Sequence, residues 1–109
     1  MSVYSTIKKE FYFLKTQYGF EIHIKQKSGA YSYITWENSK VRIVTLYDFR
    51  IEHPMKILIS DVESFGTVYD AIEYKNELII NSKKPKEIIR HAAEWLQNGI
   101  KNHYIMLKD

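Results

Sequence analysis

The feature that most constrains this chain is a change of hydrophobic period at Gly19. Before it, Tyr4, Ile7, Phe11, Leu14 and Tyr18 recur at steps of three and four and fall in one stripe at 100° per residue, which predicts an amphipathic helix from about Ser5 to Tyr18. Ser5 or Thr6 would cap its start, and a left-handed Gly19 would close it. Tyr12 and Phe13 lie off the stripe, so the helix must be covered on more than one side or expose an aromatic ring. After Gly19 the period is two. Phe20, Ile22 and Ile24 alternate with Glu21, His23, Lys25 and Lys27, the pattern of a strand with one wet face.

Ser28-Gly29 then supplies a turn, and a second strand runs from Tyr31 to Glu37, with Ser32, Ile34 and Trp36 opposed to Tyr31, Tyr33 and Thr35. Asn38-Ser39 turns the chain into Val41–Tyr47, which is apolar on both faces and therefore the expected central strand. Met55 to Val62 is the fourth. Residues 63–81 fit neither period; Thr67 to Tyr74 suits a strand or a short helix, and Glu77 to Asn81 a strand or coil. Pro85 opens a final helix in which Ile88, Ala92, Trp95, Leu96 and His103 share a face, with Gly99 its expected end. The order implies one α+β domain over residues 1–109: an N-terminal helix, an antiparallel meander of about four strands and a C-terminal helix, both helices on one face of the sheet.

Composition removes several classes. The chain has no cysteine, which excludes disulfides, thiolate metal sites and a cysteine nucleophile. It has no apolar run of membrane-spanning length and no apolar signal core behind its N-terminus, so a cytoplasmic protein that binds no membrane is expected. Neither cofactor nor metal is implied: the four glycines are isolated, no serine stands in a Gly-x-Ser-x-Gly elbow, and His23, His53, His91 and His103 lack ligand spacing. Glu21 and His23 share the wet strand face, where a carboxylate could orient an imidazole. The net charge of +3 is segregated. Residues 1–47 hold seven basic and three acidic side chains, residues 48–77 three and seven, and residues 78–109 six and three.

Three functional patterns remain. Asp61 followed by Glu73-Tyr74-Lys75 is similar to the Asp…Glu-x-Lys arrangement of restriction-endonuclease-like nucleases, in which carboxylates hold Mg²⁺ and the lysine assists a hydroxide; solvated surface charge explains the same residues. Tyr31 and Tyr33, with Tyr47 beside them and Lys25, Lys27, Lys40 and Arg42 nearby, would suit stacked bases of single-stranded RNA. In the acidic stretch, Asp61, Glu63, Asp70, Glu73 and Glu77 are interleaved with aromatic Phe65, Tyr69 and Tyr74. Of these, Asp61, Glu63, Tyr69, Asp70, Glu73, Tyr74 and Glu77 are the candidate surface for a basic protein partner.

Phe11-Tyr12-Phe13-Leu14, Tyr18-Gly19-Phe20, Trp36 and Tyr47-Asp48 carry a resemblance to small bacterial α+β immunity-like proteins of polymorphic toxin systems. It covers residues 10–60 and, in order only, the last helix. The resemblance implies a non-enzymatic binding protein that inhibits a toxin domain, and no catalytic residues. The chain departs from the acidic character common among nuclease inhibitors.

Overall fold

In a computed structural model, residues 2–27, 29–51, 54–61, 72–73 and 84–102 are described. Ser2, rather than Ser5 or Thr6, caps α1 (Val3–Glu10): its hydroxyl accepts the Ser5 amide at 3.1 Å. The expected single helix is broken at Phe11-Tyr12, and α2 (Phe13–Tyr18) follows. Three successive aromatics account for the break. Positions two apart on a continuous helix face opposite sides, yet here the Phe11 and Phe13 rings stack at 6.4 Å. Both rings thus reach the core side, and Tyr12 is left exposed. Gly19 ends α2 at φ +73°, with its amide donating to Lys15 and the Phe20 amide to Leu14.

The strands are β1 (Glu21–Lys27), β2 (Tyr31–Glu37), β3 (Val41–Asp48), β4 (Met55–Asp61) and a two-residue β5 (Ile72–Glu73). They form one antiparallel sheet in chain order, with β3 central as its two-sided apolar pattern requires. Asn38 sets the β2–β3 turn, its Oδ1 accepting the amides of Lys40 and Val41 at 2.8 and 2.7 Å. The final helix, α3 (Pro85–Lys101), runs through Gly99 to a cap at Asn102. Burial of Ile100 at 8 % exposure rewards the extra turn beyond the expected stop. His103 lies outside the described residues.

All three helices pack on one side. α1 crosses β2 and contacts α3, α2 meets β1, and α3 lies against β4. Beneath them Ile34 and Trp36, Val41, Ile43 and Tyr47, and Met55, Ile57 and Ile59 join Ile7, Phe11, Leu14, Ile89 and Leu96 in one core. The indole Nε1 of Trp36 donates to Thr45 Oγ1 at 3.1 Å, and that hydroxyl donates to the Ile34 carbonyl at 3.1 Å, so the indole N–H and the Thr45 hydroxyl are both paired inside the core.

Candidate binding face on the open side of the sheet

The β1–β2 register shifts between Ile22 and Ile24: Ile22 pairs with Trp36, Ile24 with Thr35, and His23 is the extra residue of a bulge. This overturns the simple alternation expected of β1. Ile22 stays on the helix side and packs at the core, whereas Ile24 moves to the opposite face, 47 % exposed. There it lines a shallow depression with His23, Tyr33, Thr35, Arg42, Val44 and Leu46. Pairing of Ile24 with Thr35, Thr35 with Val44, and Val44 with Leu58 makes a largely apolar row across four strands. Among the described residues, no helix covers this row.

The rim carries paired charges. Glu37 accepts from Arg42 Nε at 2.6 Å and lies 3.2 Å from His23 Nδ1. His23 is therefore matched with Glu37 and not with Glu21, which reaches Lys15 at 3.6 Å. At the far corner Arg50 grips both carboxylate oxygens of Asp48 at 2.9 and 3.0 Å. Those hydrogen bonds hold the Asp48 carboxyl down at about 2, against an ordinary value of 3.8, and raise the Arg50 guanidinium. The same guanidinium lies 5.7 Å over Tyr31, whose ring stacks on Tyr33 at 6.0 Å. Gln26 ties the two phenols together, donating to the Tyr31 hydroxyl and accepting from that of Tyr33.

The residues predicted to bind RNA are divided by the bulge. Tyr31, Tyr33 and Arg42 share the open face. Lys25 and Lys27 pair with Ile34 and Ser32, on the helix side. Tyr47 is also on the helix side, where burial raises its phenol pKa, because it pairs with Ser32 while Tyr31 pairs with Asp48. Of the acidic set, Asp61 pairs with Val41 and Glu73 with Leu58 along the backbone. Their side chains, and Glu63, Tyr69, Asp70, Tyr74, Lys75 and Glu77, lie outside the described residues.

Sequence reading missed Ile24, Val44, Leu46 and Leu58 as surface residues. The signal for three of them was present: Val44 and Leu46 in β3 and Leu58 in β4 have the opposite parity to the core residues Ile43, Ile57 and Ile59, so one helical layer cannot cover both sets. A second depression lies on α1 between Tyr4, Ser5, Lys8, Lys9 and Tyr12, where the lysines complement the helix C-terminus. Among the described residues, no cluster of three or more His, Asp or Glu could hold a metal, and no helix is long and apolar enough to cross a membrane. The geometry thus defines an α+β fold with one sheet face that no described helix covers. No protein-family model, curated protein or solved structure matches the chain.

Proposed function

We propose that the chain is a non-enzymatic protein-binding module that takes its partner on the open sheet face, acting in the cytoplasm as an immunity-type inhibitor of a bacterial toxin domain. The observation that carries the binding role is the apolar row of Ile24, Val44 and Leu58, with Leu46 beside it, on a face that no described helix covers. A contiguous apolar patch rimmed by polar groups is the usual mark of an interaction site. The toxin as partner rests on the resemblance carried by Phe11–Leu14, Tyr18–Phe20 and Trp36. In this reading Asp61, Glu63, Tyr69, Asp70, Glu73, Tyr74 and Glu77 add charge attraction to a basic partner.

The test is whether a toxin domain is encoded beside this gene and whether the chain protects a cell that expresses it; a neighbourhood without one counts against the toxin as partner. Val44→Asp and Leu46→Asp abolish protection while the melting temperature holds, and reversing Glu73 and Glu77 weakens it. Protection that survives Val44→Asp removes the open face from the reading. Single-stranded RNA is the second reading, favoured by the Tyr31–Tyr33 stack beside Arg50 and Arg42. A titration that finds no RNA affinity at low salt eliminates it.

A further inference from the structure

Thr35 sits within the open-face depression and is only 4 % exposed. No described group donates to its hydroxyl or accepts from it. A buried hydroxyl without a partner costs stability that valine, with the same shape, avoids. The neighbouring Arg42 spends its Nε on Glu37, which fixes the guanidinium plane at the wall of the same depression. Among the described residues its two terminal nitrogens have no acceptor. The remaining walls are His23, Ile24, Tyr33, Val44 and Leu46.

We infer that this depression is an anchor site for one apolar side chain flanked by a carboxylate, presented by a segment of a partner protein. The apolar group lies on Ile24, Val44 and Leu46, while the carboxylate accepts from Thr35 Oγ1 and from the outer nitrogens of Arg42. Its openness selects a protein segment over a free small molecule. The depression holds about 360 Å³, room for one or two side chains, and it is open to solvent, whereas sites for small ligands enclose most of the ligand surface. Anchors of this kind, an apolar group in a pocket beside a satisfied charge, dominate the energetics of protein interfaces.

The inference rests on the open face being the binding surface and adds the chemistry that it recognises. Blocked dipeptides test it: N-acetyl-leucyl-aspartyl amide, N-acetyl-leucyl-lysyl amide and, as the free carboxylate, hexanoate, each titrated to millimolar concentration against the labelled protein. The aspartyl peptide shifts the amides of residues 23–24, 33–35 and 42–46, and the lysyl peptide does not. Thr35→Val and Arg42→Gln each weaken the aspartyl peptide about tenfold. Thr35→Val melts at the same temperature or higher, which a hydroxyl with a structural role would not allow.

Equal binding of the lysyl peptide, no localised shift, or a lower melting temperature for Thr35→Val overturns the anchor. Hexanoate binding as tightly as the aspartyl peptide overturns the protein segment as its occupant. Val44→Asp abolishing protection while the dipeptides fail leaves the open face standing and the anchor chemistry wrong. Protection that survives Val44→Asp overturns both.

Discussion

Thr45 and Thr35 are both buried, on adjacent strands, but on opposite faces of one sheet, and they live under different rules. Thr45, beneath the helices, accepts from Trp36 and donates to Ile34. Thr35, on the open side, has no described partner. The same contrast runs through their surroundings. The helix side is mostly apolar, with the Trp36 indole and the Thr45 hydroxyl matched, while the open side combines half-buried aliphatics, two charge pairs and, at Thr35, a hydroxyl with no described partner. One face is covered by the chain's own helices, and no described helix covers the other.

The contrast makes substitutions on the two sides unequal. Trp36→Ala removes the largest core side chain and the donor that Thr45 accepts from, so chemical denaturation should show a loss of about 3–5 kcal/mol. Val44→Ala on the open face should cost well under half of that. Equal losses would mean that the open face is core. Next in size, Thr45→Val leaves the buried indole N–H without its acceptor and should cost about 1–3 kcal/mol, against no loss for Thr35→Val.

Gly19→Ala addresses the link between the helix side and the sheet. A Cβ there meets nothing within 4 Å, so the penalty is conformational only, about 1–2 kcal/mol for a positive φ.

The smallest effect is at the far corner of the open face. Asp48 has its carboxyl pKa lowered from 3.8 to about 2 by Arg50, so its contribution is present above the unfolded value and is lost as pH falls through that interval. Arg50→Gln should therefore lower the neutral plateau slightly and flatten the acid limb of a melting-temperature profile, the two profiles converging as pH falls through that interval.

Periodicity was a sound guide wherever hydrogen bonding is regular. β2 spans the expected Tyr31–Glu37, β3 adds only Asp48, and the stripe of α3 predicted Ile88, Ala92 and Leu96 in the core. It failed at two local irregularities. Nothing in alternating Glu21–Lys27 reveals an extra residue at His23, because a bulge is decided by the partner strand, and one residue is enough to send Lys25 and Lys27 to the opposite side from Tyr33. The break at Phe11-Tyr12 is likewise set by where three rings find room. The candidate site was less legible than the fold. Tyr33, Arg42 and the apolar parity of β3 could be read, but the missing partner of Thr35 is a property of neighbours brought from three strands.

The bulge at His23 also bears on how the molecule avoids its own kind. β1 is an outer strand with β2 as its neighbour, and a straight outer strand is a template onto which another chain can crystallise, strand upon strand, into a fibre. The kink at His23 spoils the spacing of that template, and Lys25 and Lys27 charge the rest of it. At this edge the sheet thus resists being lengthened by a second chain, whatever comes to lie over its open face.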